Sequence, residues 1–313
     1  MEKIICVAGP TASGKTRLAV ELAKKYDGEV LSCDSMQIYR GMEIGTAAPT
    51  VSEMQGVPHH MIGVADPKAD FSVGKYVELA EPILQDILSR GKTCVVCGGT
   101  GLYADSLLLG RTFAPCPSTG VREKLEAEVN HTGIEPVLAR LKAVDPESAA
   151  RLHPSDRRRI IRALEVYLET GETISEHNRK TKLLPPKHDA VWLGLSFENR
   201  QDLYDRIDLR VEKMLKAGLL DEIRALLSSG IPPTATAMQA IGYKEFVDAL
   251  TNGGDVAAAA ALVQQRSRNY AKRQLTWFRR NPAMHWIFQP AQPDADAVFA
   301  AARQEIPFFA EEI

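Results

Sequence analysis

The sequence predicts an α/β fold of the P-loop NTPase-like kind: a mostly parallel sheet with flanking helices and an all-helical insertion. Three observations carry that prediction. The stretch Gly9-Pro-Thr-Ala-Ser-Gly-Lys-Thr16 fits the pattern G-x-x-x-x-G-K-[ST] at every fixed position. It follows an apolar, β-branched run at residues 3–8 and precedes Leu18, Ala19, Leu22 and Ala23 at helical spacing. Further strand-like runs at 29–33, 93–97 and 190–195 alternate with helical stretches, whereas residues 118–180 read as helix only. The expected organisation is a catalytic core over 1–115, a helical insertion over 116–184, and the remainder of the core over 185–313.

The glycine loop sets the chemistry. Its glycines let backbone N–H groups turn inward around an anion, and the helix N-terminus behind it adds partial positive charge. Lys15 supplies a full charge there, and the Thr16 hydroxyl is a candidate Mg²⁺ ligand. Such a loop specifies a diphosphate, not ATP in particular.

Composition narrows the class. With 25% charged and 45% hydrophobic residues, the 313-residue chain reads as an ordinary globular protein with a substantial core. Its longest fully apolar run, residues 256–263, is mostly alanine and far short of a membrane span. The N-terminus runs directly into the first strand, so no signal or transit peptide and a cytoplasmic location are expected. The five cysteines suit a reduced compartment, and Cys94-Val-Val-Cys97 reads as neighbouring thiols in a buried strand rather than a metal or redox pair. Net charge is only −2, yet six Lys or Arg and no acid fall between Arg266 and Arg280, and Arg157, Arg158, Arg159 and Arg162 form a second cluster. Local patches of this kind decide whether a polyanion docks.

Taken in order, the second strand ends in Asp34-Ser-Met-Gln-Ile-Tyr39, at the carboxyl edge where α/β sheets place ligand chemistry. Asp34 either carries chemistry there or caps a turn. Residues 40–67 form a long polar loop that reads as substrate-facing. Residues 72–90 repeat with helical period, with Ser72 as N-cap and Gly91 as the stop. The third strand ends in Gly98-Gly-Thr-Gly-Leu-Tyr103, where a nucleotide hydrolase would carry a Walker-B aspartate. A second glycine turn bearing the Thr100 hydroxyl stands there instead. In the insertion, Asp145 is a helix cap and Gly171 a stop, and residues 182–187 read as a linker. Arg206 and Arg210 lie one turn apart on an amphipathic helix over 201–217, facing either the active edge or solvent. Asp255 caps a long helix reaching Arg280. A strand at 285–288 and a helix capped by Asp294 close the chain.

Taken together, these segments resemble the tRNA dimethylallyltransferase family. The resemblance rests on the glycine loop, Asp34-Ser-x-Gln-x-Tyr39, Gly45-Thr-Ala, Val57-Pro-His-His60 and Gly98-Gly-Thr-Gly-Leu-Tyr103. It extends through His153-Pro, Arg162-Ala-Leu-Glu165, Ile241-Gly-Tyr243 and Ala271-Lys-Arg-Gln-Leu-Thr-Trp277, covering residues 4 to 286 in order. Two positions depart from the family pattern: Ala48 stands where lysine is usual, and Gly63 where aspartate is common.

The resemblance implies transfer of a dimethylallyl group from dimethylallyl diphosphate to the N6 amine of the adenosine 3′ of the anticodon, with Mg²⁺ as cofactor and tRNA as partner. It implies Asp34 as base, with Lys15 and Thr100 aiding the leaving group. The diphosphate site comprises Gly9, Pro10, Thr11, Ala12, Ser13, Gly14, Lys15, Thr16 and Arg210, with Thr16 on the metal. tRNA contacts fall to Asp34, Ser35, Met36, Gln37 and Thr100, to Arg122, Arg158, Arg159 and Arg162 of the insertion, and to Gln239, Gly242, Tyr243, Lys244 and Arg273. The anticodon stem-loop is the expected docking element and a monomer the expected state. A prenyltransferase of free adenine nucleotides and a P-loop small-molecule kinase are the competing readings. The kinase leaves Gly98-Gly-Thr-Gly and the basic C-terminal helix unexplained.

Overall fold

A computed structural model describes residues 2–112 and 119–306. The first boundary expected from sequence, at residues 115 and 116, and Cys116 itself lie outside them. Among the described residues the sheet has six strands, all parallel, in the order β3-β2-β4-β1-β5-β6. These are β1 (Ile4–Ala8), β2 (Gly28–Ser32), β3 (His59–His60), β4 (Thr93–Gly98), β5 (Ala190–Phe197) and β6 (Met284–Gln289). The two-residue β3 arises inside the stretch read from sequence as loop, because Val30 and Leu31 pair with His59 and His60. Two polar histidines carry no strand periodicity to read.

Central β1 and β4 are buried along their whole length, as parallel strands covered on both faces must be. Alternation divides them. Ile5 and Val7 of β1 with Val95 and Cys97 of β4 share one core with the helices Lys15–Lys25 and Ala295–Gln304. The intervening Ile4, Cys6, Cys94 and Val96 turn to the other face, where helices Val73–Ser89 and Gly101–Leu108 lie. Cys94 and Cys97 therefore occupy opposite faces and are free, buried thiols, as the strand reading expects.

Local signals set the helix ends. Ser72 accepts from the Lys75 amide and Asn199 from the Gln201 amide, starting helices Val73–Ser89 and Arg200–Lys216. Asp255 accepts from the Ala257 amide and starts Val256–Phe278. A second core within this unit gathers helices Leu219–Ser228, Tyr243–Thr251 and Val256–Phe278 around Tyr39, Met42, Tyr243 and Phe246.

The chain divides into two compact units, residues 1–108 with 188–313, and residues 109–187. The second unit is helical throughout its described residues, built on Leu125, Val129, Val137, Leu141, Ile160, Ile161 and Leu164. Asp145 accepts from the Ser148 amide at 2.9 Å and starts Pro146–Arg151, while Gly171 at φ 73° ends Arg157–Thr170.

Candidate active site

The loop between β1 and the Lys15–Lys25 helix is held from behind. Gly9 adopts φ 145°, and a Cβ there would stand 2.5 Å from the Leu195 carbonyl oxygen of β5. Only glycine fits so close an approach. Three loop carbonyls are then tied outward. Lys15 Nζ donates to Pro10 O at 2.6 Å, Arg206 Nε to Ala12 O at 3.1 Å, and Gln289 Nε2 to Ser13 O at 3.0 Å. Gly14, at φ 89°, leads into the helix. With those carbonyls engaged, the amides of residues 13–16, at a helix N-terminus, are the donors left for an anion. Thr11 departs from the sequence-predicted cradle in one respect. Its amide is donated to Gln274 Oε1 at 2.9 Å and is not available to a phosphate.

Across from this loop, at the carboxyl ends of the same strands, lies a cavity of about 350 Å³. That is the size range of small-ligand sites. Thr11, Lys15, Thr16, Asp34, Ser35, Met36, Gln37, Arg210, Gln239, Gly242 and Arg273 all line it, so one space collects eleven of the sequence-predicted residues. Gly98 and Gly99 of the second glycine turn also line it, and Thr100 of that turn is tied to one of the lining residues, Ser35. Its Oγ1 accepts from the Ser35 amide at 3.0 Å, and its hydroxyl donates to Ser35 Oγ at 3.2 Å. The glycines of that turn answer to the Val256–Phe278 helix. A Cβ on Gly99 would stand 2.1 Å from Gln274 Nε2, and one on Gly101 2.1 Å from Trp277 Cδ1.

Asp34 caps a turn and also lines the cavity. Oδ1 accepts from the amides of Met36 at 2.9 Å and Gln37 at 3.4 Å, which shapes the turn. The carboxylate nevertheless lines the cavity, half-buried. Arg210 and Lys15 share its surroundings. Burial lowers the proton affinity of both, bringing Lys15 from 10.5 to about 8, and the Asp34 charge pulls each partly back up. Arg210 also donates to Thr46 O at 3.5 Å. Arg206 does not enter the cavity: its guanidinium lies over the Phe197 ring at 5.4 Å while holding Ala12 O.

The loop read as substrate-facing contributes Gly45, Thr46 and Ala47 to the same cavity. Glu222 holds it, accepting from Ile44 N at 2.7 Å, Gly45 N at 3.0 Å and the Tyr243 hydroxyl at 2.6 Å.

Several sequence-predicted contacts need correction. Tyr243 is wholly buried with its hydroxyl on Glu222, and its ring lies against Gly45, so it packs the loop and offers no side chain to an RNA. Lys244 is exposed and lies away from the cavity. In the helical unit, Arg122 forms a two-point contact with Glu165 at 3.1 and 2.8 Å, and Arg162 reaches the same carboxylate at 3.1 Å. Both are committed within the unit. Arg158 and Arg159 are exposed, Arg159 standing 3.6 Å from Asp156. Sequence reasoning assigns no site role to Gln274, Gln289 or Glu222. Gln274 stands inside a recognised motif, Ala271-Lys-Arg-Gln, but its partners are far off in the chain.

Comparison with known proteins agrees with this geometry. An IPP transferase family model matches residues 37–281, and an isopentenyl transferase model matches residues 2–62. The tRNA dimethylallyltransferase 1 of Pelobacter propionicus is 44% identical over 290 residues, covering 93% of this chain and 94% of its own length. The chain belongs to the tRNA dimethylallyltransferase family. The Geobacter sulfurreducens tRNA dimethylallyltransferase is likewise 44% identical, over 95% of this chain and 96% of its own. The full-length tRNA isopentenylpyrophosphate transferase of Bacillus halodurans superposes with a TM-score of 0.73 at 40% identity, covering 97% of this chain and 95% of that one. A eukaryotic dimethylallyltransferase acting on tRNA gives a TM-score of 0.82 at 30% identity, over 97% of this chain and 77% of that one. Six parallel strands with a P-loop on the central one are thus the family's architecture in this chain.

Proposed function

We infer that this chain transfers the dimethylallyl group of dimethylallyl diphosphate to tRNA, at the N6 amine of the adenosine 3′ of the anticodon, releasing diphosphate. The observation that carries the reading is the single cavity lined by a diphosphate cradle and, opposite it, by the Asp34 carboxylate. Relatives named for tRNA dimethylallyl transfer favour it over a kinase or a prenyltransferase of free nucleotides.

The bond broken is carbon–oxygen, so no water needs activating and no Walker-B carboxylate is called for. As the adenine amine attacks the allylic carbon, the electron pair of that bond leaves on the bridging oxygen of the diphosphate. Lys15, Arg210 and the loop amides stabilise the charge that grows there, and a preorganised donor of this kind is worth about 3–4 kcal/mol. The amine is a poor nucleophile because its lone pair is delocalised into the ring. Asp34 takes the proton it sheds, a contribution of about 10²–10⁴-fold. The hydroxyl of Thr100 holds Ser35, next to Asp34, on the polar side of the cavity.

Mg²⁺ suits the donor set. It favours oxygen ligands, commonly one or two from protein with the rest from phosphates and water. The Thr16 hydroxyl, lining the cavity, would be such a ligand. When bound, Mg²⁺ neutralises charge on the diphosphate. Among the described residues no cluster of three His, Cys, Asp or Glu is arranged to hold a metal ion.

The target adenosine reaches a recessed cavity only by leaving the anticodon-loop stack, at a cost of a few kcal/mol. Gln239 and Arg273 line the cavity where the base would enter, and Arg158 and Arg159 offer phosphate contacts from the insertion. We take the enzyme to be monomeric and cytoplasmic. Among the described residues no helix is long and apolar enough to cross a membrane.

The reading is tested by incubating the chain with unmodified tRNA, ATP and dimethylallyl diphosphate labelled in the prenyl group. Label should pass to tRNA, and ATP should survive. Robust tRNA-stimulated ATP hydrolysis with no label transfer would overturn the assignment.

A further inference from the structure

Gln274 is 5% exposed and stands on the Val256–Phe278 helix, behind the cavity it helps to line. Its side-chain amide uses both of its ends. Oε1 accepts from the Thr11 amide at 2.9 Å, and Nε2 donates to Gly99 O at 2.9 Å. One end therefore grips the diphosphate loop and the other the Thr100 turn. The grip is close enough that Gly99 has no room for a Cβ. From that turn the connection continues to the other half of the site, since Thr100 Oγ1 accepts from the Ser35 amide, next to Asp34.

We propose that Gln274 is a positioning residue that fixes the distance between the leaving-group cradle and the Asp34–Thr100 side of the cavity. The proposal deepens the transfer reading above and rests on it. A displacement on carbon needs the amine, the allylic carbon and the departing oxygen nearly in line. Misplacement by about 1 Å can cost on the order of 10²-fold in rate. The loop gives up an anion donor, the Thr11 amide, to make this bond. That is the sign of a group spent on placement and not on affinity. An amide is required because the two backbone partners are a donor and an acceptor. A carboxylate serves only the first and an apolar side chain neither.

The test uses the full chain, with Gln274→Met, which keeps the shape without the bonds, and Gln274→Glu, which keeps the bond from Thr11 and gives up the one to Gly99. kcat, KM for tRNA, Kd for inorganic diphosphate and Tm are measured for each. In Gln274→Met, kcat should fall by about 10²-fold while KM for tRNA and Kd for diphosphate stay within about threefold. In Gln274→Glu, kcat should fall comparably and diphosphate should also bind at least about tenfold more weakly, because an anion then faces the cradle. A Gln274→Met protein that is folded and turns over within about threefold of wild type overturns the proposal. So does a rate loss that saturating diphosphate substrate restores, since that is a binding defect alone. If Gln274→Met does not fold, Gln274→Glu decides by the same kcat criterion. Failure of the wild-type chain to label tRNA would instead sink the transfer reading, and is seen before any variant is made.

Discussion

Only Oδ1 of Asp34 is engaged in the turn, and under the transfer reading this makes the residue testable without wrecking that turn. Oδ1 accepts from Met36 and Gln37 amides, an arrangement the carbonyl of asparagine reproduces. Asp34→Asn should therefore keep the wild-type Tm within a few degrees and lower kcat by at least about two orders of magnitude. Near-normal turnover, measured at saturating tRNA, would leave Asp34 as a turn cap only. Lys15 yields a prediction with a defined sign. Burial lowers its affinity for a proton from 10.5 to about 8, so its ammonium is lost at a pH where an exposed lysine stays charged. Anion binding selects the charged form. Affinity for inorganic diphosphate should be full well below pH 8 and decline as pH rises through about 8. Titration calorimetry across about pH 6.5–9.5 checks this against Lys15→Ala, which should bind weakly with no such decline. Identical pH profiles for the two proteins would remove Lys15 from the cradle.

The second glycine turn is the element on which the site's two halves meet, and it has no slack. Gly101 carries the indole of Trp277 against its Cα, and Trp277 Nε1 donates to Asp105 Oδ2 at 3.0 Å. Gly101→Ala forces that ring aside, and overpacking of this kind costs about 1–3 kcal/mol. A lowered Tm with a lowered kcat is the expected result, read by calorimetry and by transfer assay. Tolerance of alanine at both properties would mean the turn adapts more than its geometry allows. The same element marks the limit of what a sequence discloses. The glycine loop, Asp34 and the Thr100 turn are legible because each is a local pattern at a strand end. Gln274, Gln289 and Glu222 are not, because their meaning lies in partners 93 to 276 residues away for the two glutamines and in a loop 177 residues away for Glu222. A polar residue on an amphipathic helix reads as solvent-facing until the element opposite is known. Tyr243 misleads for the converse reason. It stands one residue after a cavity-lining glycine, yet helical geometry turns its ring into the core.

For the whole molecule, the division of labour between two compact units makes separable predictions. The core unit alone holds the cavity, so diphosphate binding should not depend on the insertion's arginines. Arg158 and Arg159 of the second unit are exposed, whereas Arg122 and Arg162 are held by Glu165, itself nearly buried. Replacing Arg158 and Arg159 with alanine should weaken tRNA binding and flatten its salt dependence, by about one unit of slope for each phosphate no longer neutralised. Adding Arg162→Ala should further cost stability of the helical unit. An unchanged salt slope would reduce the cluster to a solvated helix face. The measurement that bears most directly on the transfer reading is single-turnover transfer of prenyl label into unmodified tRNA, followed by nuclease digestion to locate it. The account predicts one label per tRNA, on N6 of the adenosine 3′ of the anticodon, formed with stoichiometric diphosphate and slowed at least about 100-fold in Asp34→Asn. Label on free adenine nucleotides but not on tRNA, or at another position of the tRNA, would contradict it.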